Sequence, residues 1–362
     1  MTNKTNNNKN NYFACANTSM GFINLFNLII ESQDFDKIYI IKGCGCDGSD
    51  ILREIAQTAE NKMYTIEYFL CPVDTNRLDG IIIKELKTAV ISDKLNISST
   101  SKYPVIIENS INYHDFYDET NLIANKEEIL KSTAKKEEYI NLAYKFLRAA
   151  DELSENTVEL SKKYLNINKL NSSVGRLLNR YVNEKHLQPD NKQFDEYRFI
   201  NSVSSSGLAE LFTLENQAEK IFYISGDNSL GWHYTRNIAD KCENLCKVVC
   251  PDALNPKKIK AVYLKDSKIL FTIRNRIPDK IYDDKYTFIN MDRFIDPKFK
   301  KDNKQKLRFI NKCYKSIIDE SVKYFKEVDV INKHIENIYE STIKNIYEKN
   351  KYTEVIINKI LP

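Results

Sequence analysis

Short apolar runs, separated by turns and by segments of helical character, are the main pattern of this sequence. The run Ile38 to Ile41 leads directly into Gly43, and a helix is predicted over about residues 49–61. A second apolar run, Thr65 to Leu70, follows that segment. This order predicts a strand, a glycine loop, a helix and a further strand.

The flanking segments are also patterned. Upstream, apolar residues at helical spacing predict a short helix that contains Phe22, Leu25, Phe26 and Ile29. Downstream, the apolar pieces Ile81 to Ile83 and Thr88 to Ile91 predict two more strands. Because strands that alternate with helices usually form parallel sheets with crossover helices, we expect an α/β fold with a doubly wound parallel sheet.

The whole pattern occurs twice. Gly43 and Gly48 match Gly226 and Gly231 at an offset of 183 residues, and the second loop again follows an apolar run. Further pairs match at offsets from 179 to 186, and they are Phe13 with Phe199, Gly21 with Gly207, Leu25 with Leu211, Cys71 with Cys250, and Lys84 with Lys265. We therefore interpret the chain as a duplication of one domain.

The duplication predicts the domain organisation. One copy would span residues 12–185 and the other 196–362, after a disordered tail at residues 1–11 that is mostly Thr, Asn and Lys. Each copy ends in a charged stretch, Leu122 to Tyr164 in the first and Lys304 to Lys359 in the second. We expect these stretches to form helical hairpins that pack on the sheet domain or project from it.

Composition narrows the class of protein. The 362 residues are 42% hydrophobic, which is enough for about two folded domains, and the formal charge is only +4. That charge does not indicate a nucleic-acid partner. No apolar segment is long enough for a membrane span or an export signal, so we expect a soluble, cytoplasmic protein with reduced cysteines.

The glycine loops carry the candidate chemistry. Both the segment Gly43-Cys44-Gly45-Cys46-Asp47-Gly48 and the segment Gly226 to Gly231 have the spacing Gly-x-x-x-x-Gly between a strand and a helix. In a phosphate-binding loop of this form, backbone N–H groups and the helix N-terminus together hold the anion. The sequence therefore predicts two loops with the backbone framework of a nucleotide site.

The side chains that complete such a site are absent from both loops. A lysine followed by Ser or Thr should come next, but the first copy continues with Ser49 and Asp50 and the second with Trp232 and His233. Serine removes the main cation, and the carboxylates of Asp47 and Asp50 repel an anion. Lys42, just before the first loop, is the candidate substitute cation.

An acidic residue after a neighbouring strand often holds magnesium in such sites, and Asp93 occupies that place in the first copy. It is equally well explained as a residue of the turn after the strand. Its counterpart in the second copy is Arg274, a reversal of charge. His114 is expected to be a surface or packing residue rather than a catalytic base.

The chain resembles a clostridial-type family of tandem P-loop ATPase-like proteins of unknown role. The segments that carry the resemblance are Tyr12-Phe13, Gly21-Phe22, Ile38 to Gly48, Cys71, Leu78 to Leu86, Tyr103-Pro104 and Asn125 to Ile129. It implies two P-loop nucleoside-triphosphatase domains in one chain. Members generally keep Gly-x-x-x-x-Gly-Lys-[Ser/Thr] in both halves, so only Gly43, Gly48, Gly226 and Gly231 carry over to this sequence.

Cysteine placement suggests a different chemistry. Cys44 and Cys46 lie in the first loop and Cys71 ends the next strand, so all three would gather at the carboxyl edge of the sheet. A thiolate metal or redox centre could form there. The simpler interpretation is that they are small buried thiols, because Cys-x-Cys with scattered partners is not a typical metal motif.

Three functions therefore stay open at the level of sequence. The first is a non-catalytic, ATPase-like protein that binds ATP and magnesium weakly or serves as a scaffold for a protein partner. The second is an active ATPase or nucleotide kinase with a nonstandard cation, supplied by Lys42 or by a partner chain. The third is the thiolate protein centred on Cys44, Cys46 and Cys71.

Overall fold

The computed structural model describes residues 9–43, 48–95, 105–182, 195–226, 229–274 and 284–362. The strands in these ranges are β1 Asn10–Tyr12, β2 Cys15–Thr18, β3 Gly21–Asn24, β4 Lys37–Lys42, β5 Ile66–Leu70, β6 Leu78–Ile83, β7 Thr88–Ser92, β8 Glu108–Asn112, β9 Glu196–Tyr197, β10 Asn201–Ser204, β11 Gly207–Glu210, β12 Lys220–Ser225, β13 Lys247–Pro251, β14 Ile259–Leu264, β15 Ile269–Ile273 and β16 Tyr286–Asn290. The α-helices are α1 Phe26–Ser32, α2 Ser49–Asn61, α3 Glu119–Ala124, α4 Lys126–Lys162, α5 Ile167–Tyr181, α6 Thr213–Gln217, α7 Gly231–Lys241, α8 Lys298–Ser341 and α9 Ile346–Ile360.

The fold is α/β, with one six-stranded sheet in each copy. The strand order is β1-β5-β6-β7-β4-β8 in the first sheet and β9-β13-β14-β15-β12-β16 in the second, so equivalent strands occupy equivalent places. Both sheets are mixed rather than parallel, which corrects the expectation from sequence. Among the described strands of these two sheets, only β6 and β14 run antiparallel to their neighbours. The connections before and after them are too short for the crossover that parallel neighbours require.

The segment around Phe22 also differs from the expectation. Residues 21–24 form β3, which pairs with β2 in an antiparallel hairpin, and the helix begins only at Phe26. Gly21 has φ +98° at the hairpin turn, and Gly207 has φ +115° in the equivalent hairpin of β10 and β11. A residue with a side chain adopts this backbone conformation only with strain, so the two matched glycines set the hairpins.

The disordered tail predicted at residues 1–11 extends too far, because the first strand already begins at Asn10. Asn10 and Asn11 lie in β1, which runs parallel to β5 along the edge of the first sheet. The first eight residues lie outside the described ranges. The predicted helix at 49–61 is confirmed, since α2 covers exactly those residues.

A pseudo-twofold contact joins the two copies through equivalent residues. The backbone N–H of Phe13 donates to the carbonyl of Phe199 at 2.9 Å, and the N–H of Phe199 donates to the carbonyl of Phe13 at 3.0 Å. Both side chains are fully buried. The duplicated halves thus meet as a symmetric pair at the very residues that the sequence offset matched.

The inner faces of the two sheets share one hydrophobic core. Phe69, Ile82 and Ile91 of the first sheet belong to the same buried cluster as Tyr223 and Leu270 of the second. Neither copy therefore buries this face alone, and burial of apolar area is the dominant favourable term in folding. The copies are repeats in sequence, but they form a continuous body in the structure.

Helices exchanged between the copies cover the outer faces. Leu170 and Val174 of α5, which follows the first sheet in sequence, pack with Tyr234 against the second sheet. Conversely, Ile357 and Ile360 of α9, at the end of the chain, pack against the first sheet with α2. Helix α5, which follows the charged stretch Leu122 to Tyr164, and helix α9, at the end of the second stretch, therefore cover the sheet of the other copy rather than their own.

The long helices α4 and α8 lie antiparallel and link these exchanged elements. Ser321 of α8 donates to the carbonyl of Ala143 in α4 at 3.3 Å, and His334 further along α8 is 2.9 Å from Glu128. In the part of the chain that is described, every helix is too polar or too short to cross a lipid bilayer.

Candidate functional site

The carboxyl ends of three parallel strands meet at the first glycine loop. Strand β4 lies between β7 and β8, with Ile41 opposite Ser92 and Lys42 opposite Asn112. Gly43 and Asp93, which the sequence analysis proposed as site residues, therefore emerge at one edge of the sheet. Cys44, Gly45, Cys46 and Asp47 lie outside the described residues.

Gly43 is required by close packing as well as by backbone conformation. Its φ is +71°, and a Cβ at this position would lie 2.0 Å from Cδ2 of His114. The imidazole of His114, which follows β8, therefore lies against the first glycine of the loop. This contact supports the packing role expected for His114.

The lysine position of the first loop has a structural role. Gly48, with φ +66°, is the N-cap of α2, and Ser49 is the first residue of that helix. The buried hydroxyl of Ser49 accepts a hydrogen bond from the N–H of Leu78 at 2.9 Å. Ser49 thus ties α2 to β6, while Asp50 is exposed to solvent.

The candidate cation and the candidate carboxylate of the first copy are both exposed. Lys42 is the last residue of β4, and its carbonyl accepts from the N–H of Tyr113 at 2.9 Å. Asp93 begins a short 3-10 helix directly after β7. Their solvent exposure means that any charge they present to an anion or a metal is screened by water.

Arg274, the counterpart of Asp93, is 2% exposed and belongs to a buried charge cluster. Its guanidinium is paired with Glu215, lies 2.9 Å from Glu210, and stacks on the ring of Phe212 at 4.4 Å. Burial alone would lower the pKa of Arg274, but the two carboxylates outweigh it and raise the pKa. The charge reversal between the copies therefore has a structural cause, and the distant glutamates gave no sequence signal.

The second glycine loop borders a cavity of about 400 Å³. Its floor includes Gly226 at the end of β12 and Gly231 at the start of α7. Ser154 of α4 and Tyr314 of α8 belong to its roof. The sequence did not indicate that the long helices cover this loop, because their contacts join residues far apart in the chain.

Trp232 and His233 occupy the positions of the missing lysine and hydroxyl. Their rings are stacked with centroids 3.8 Å apart, and Trp232 lines the cavity. Indole Nε1 and imidazole Nε2 are buried, and neither has a hydrogen-bond partner among the described residues. Burial, assisted by Lys162 and Lys258, lowers the pKa of His233 to about 4. The imidazole is therefore neutral at pH 7 and cannot replace the lysine.

The other charges of the cavity wall already have partners. Lys258 lies 2.5 Å from Glu155, and Lys260 lies 3.0 Å from Glu210. Asp151 on the opposite side accepts hydrogen bonds from Ser19 at 2.8 Å and from Asn255 at 3.1 Å. The wall therefore offers cations that are already paired, together with the carboxylates of Asp151 and Asp252, so a triphosphate would gain little charge stabilisation there.

The pair Lys258 and Glu155 has a counterpart in the first copy. Arg77 and Glu336, both at an offset of 181, form a two-pronged ion pair with one N–O distance of 2.6 Å. In each case a cation between two strands of one copy binds a glutamate on the long helix of the other. Each long helix is therefore tied to the other copy by an equivalent ion pair.

The described cysteines do not form a metal centre. Burial, followed by the charge of Asp79, raises the pKa of Cys71 to about 12, and the pKa of Cys15 is raised by the same causes. Both thiols stay protonated at neutral pH, whereas a metal ligand must lose its proton. Across the described ranges, no three His, Cys, Asp or Glu side chains are close enough together to hold a metal ion.

Comparisons with known proteins add no relative. No protein-family model matches the chain, and neither the curated proteins nor the solved structures contain a significant match. The family resemblance inferred from the glycine loops therefore stays a prediction, and the functional argument depends on the site itself.

Proposed function

We propose that this protein is a non-catalytic, ATPase-like scaffold that binds a nucleotide weakly in the cavity of its second glycine loop. The observation that carries the proposal is the combination of that cavity with Trp232 in the lysine position. A volume of about 400 Å³ lies in the range of small-ligand sites. The indole supplies an aromatic face for a base, and the N-terminus of α7 supplies N–H donors.

The residues in the lysine, hydroxyl and carboxylate positions of the two loops support a protein without catalytic activity. Phosphoryl transfer depends on cations and on a metal held by a hydroxyl and a carboxylate. In the first copy Ser49 stands in the lysine position and Asp50 in the hydroxyl position, and in the second copy the imidazole of His233, in the hydroxyl position, is neutral. In the second copy Arg274 stands where the first copy has Asp93, and its guanidinium forms ion pairs with Glu210 and Glu215. Among the described residues of the two loops, neither the lysine nor the hydroxyl stands at the position where the motif requires it.

A scaffold role is supported by how the copies are joined. The shared core, the exchanged helices α5 and α9, and the ion pairs of the long helices join the two sheets into one body. Such a body presents constant surfaces to a protein partner, with or without bound nucleotide. We propose that partner binding, rather than turnover, is the output.

Trp232 makes the nucleotide part directly testable, because it is the single tryptophan of the chain. Titration with ATP and magnesium, ADP or adenosine should change its fluorescence with a Kd of about 0.1–1 mM, corresponding to about −5.5 to −4 kcal/mol. Ser154→Leu, which narrows the cavity from α4, should abolish the change. Asn156→Leu, at an exposed position of the same helix, is the matched control and should bind as the parent does.

Two results would contradict the proposal. An unchanged Trp232 signal at several millimolar nucleotide, together with an absence of heat in calorimetry, would remove nucleotide binding from the second cavity. Release of phosphate from ATP that disappears in Ser154→Leu would show a catalytic protein instead. A phosphate-release assay on the same samples measures the second outcome.

A further inference from the structure

A second cavity, of about 260 Å³, lies where the two copies meet, away from both glycine loops. Glu67 on β5 and Lys84 after β6 reach it from the first copy. Glu196 on β9, Arg198 and Lys265 after β14 reach it from the second. The cavity therefore exists only because the sheets are packed together.

Charges alternate along its wall. Lys84 is 2.9 Å from Glu67, which is 3.0 Å from Arg198. Arg198 is in turn 3.8 Å from Glu196, and Glu196 is paired with Lys265. The row begins and ends with a lysine, and the two lysines are equivalent residues of the duplicated sequence, at an offset of 181.

The lining has one positive charge in excess. Four cationic side chains and three carboxylates border the cavity, because Lys87 and Asp34 form a further pair at its margin. Burial would raise the pKa of Glu67, but Arg198 and Lys84 outweigh it and lower the pKa to about 2. Glu67 is consequently ionised at neutral pH and counts as a full negative charge, so the lining keeps its one excess positive charge.

One buried donor of this wall has no acceptor. The side chain of Arg198 is 1% exposed, and its Nε has no hydrogen-bond partner within the described ranges. Leaving such a donor unpaired costs free energy, and charged groups cost more than neutral ones. The side chains of Lys84 and Lys265, which both border the cavity, are 44% and 34% exposed, so each can contact a second partner in addition to its glutamate.

We infer that the junction cavity binds a small oxyanion of phosphate size between Lys84 and Lys265. The anion neutralises the excess charge, gives each lysine a second acceptor and gives Nε of Arg198 its first, because oxyanions bind most strongly through charge-assisted hydrogen bonds. It contacts residues of both copies and therefore stabilises their packing. This site is independent of the nucleotide cavity proposed above.

Calorimetric titration with inorganic phosphate, at constant ionic strength against chloride, tests the inference. The parent protein should bind phosphate, and Lys84→Gln and Lys265→Gln should each weaken binding about tenfold. The double variant should bind none. Lys268→Gln is the control, because that exposed lysine pairs with Glu219 at 2.7 Å and does not border the cavity.

Further arms separate the alternatives. A titration with glycerol 3-phosphate shows whether the site prefers the free ion or a phosphate ester, and tighter binding of either one supports an oxyanion site. Ser154→Leu should leave phosphate binding unchanged, which separates this site from the nucleotide cavity. The inference is overturned if the parent binds no phosphate, or if the double variant binds it as tightly as the parent does. Circular dichroism of each variant verifies the fold.

Discussion

Positions 93 and 274 follow equivalent strands of the two copies, yet one holds an exposed aspartate and the other a buried arginine. The strand order around them is the same. The buried apolar residues of the strands are thus enough to maintain the same strand order in both copies, while the residue after the strand can differ even in the sign of its charge. In the second copy that freedom has produced a charge cluster that supports the fold, and in the first it leaves a solvated turn.

The largest effect on stability should come from replacing Arg274 with a neutral residue of similar size, and the matched change at Asp93 should have little effect. Arg274→Met leaves the buried Glu215 without its partner and should lower the free energy of unfolding by about 3–5 kcal/mol. Asp93→Asn removes an exposed charge and should change it by less than about 0.5 kcal/mol. Urea denaturation measures both, and equal losses would show that the two positions are alike.

The exchange of helices between the copies predicts where a local defect appears. Leu170→Ala in α5 and Ile357→Ala in α9 should each cost about 2–4 kcal/mol, because both side chains are buried. Hydrogen exchange should quicken in β12 for the first variant and in β4 for the second. Faster exchange confined to the copy that carries the substitution would mean that the helices cover their own sheets.

A pH dependence should distinguish the second loop from the first. The folded pKa of His233, about 4, lies below its ordinary value of 6.5, so the unfolded state binds a proton first as the pH falls. The contribution of His233 to the free energy of unfolding is therefore fully present above about pH 6.5. It is lost as the pH falls toward 4, by about 1–2 kcal/mol after discounting for the partial exposure of the side chain. His233→Gln should remove that part of the decline in denaturation curves recorded across this range.

Restoring the missing residues of the first loop should be seen most clearly in the affinity for nucleotide. Ser49→Lys with Asp50→Thr removes the acceptor of the Leu78 N–H at a buried position and should lower the free energy of unfolding by at least about 1–3 kcal/mol, while strengthening the binding of magnesium and ATP. Trp232→Lys with His233→Thr is the matching change in the second loop. Calorimetry with ATP compares them, and a failure of the first variant to gain affinity would mean that its loop has lost the cradle shape.

Local sequence patterns predicted a substantial part of the fold. The strand predicted at Ile38 to Ile41 and the helix predicted at 49–61 both form where expected, because each depends on neighbours within a few residues. The directions of β6 and β14 were wrong, since direction depends on connection length and on pairing. The start of the first short helix was also wrong, because the turn at Gly21 and pairing with β2 outweigh the helical spacing of Phe22.

For the candidate site, the sequence located the two glycine loops and the absence of their lysines. It missed the cavity, because its roof comes from α4 and α8, and it missed the partners of Arg274, which lie at least 59 residues away in the chain. It also missed the junction cavity, whose central ion pair joins residues 131 positions apart. Such pairs leave no periodic signal.

By itself, the sequence determined that the chain is a duplicated α/β protein with two glycine loops that lack their cation. Apolar periodicity and glycine conformation act over a few residues, so they are legible along the chain. Only the tertiary structure decided that the copies share a core, exchange helices and enclose two cavities. Those features depend on burial and on charge pairing between distant residues, and both act only after the chain has brought the residues together.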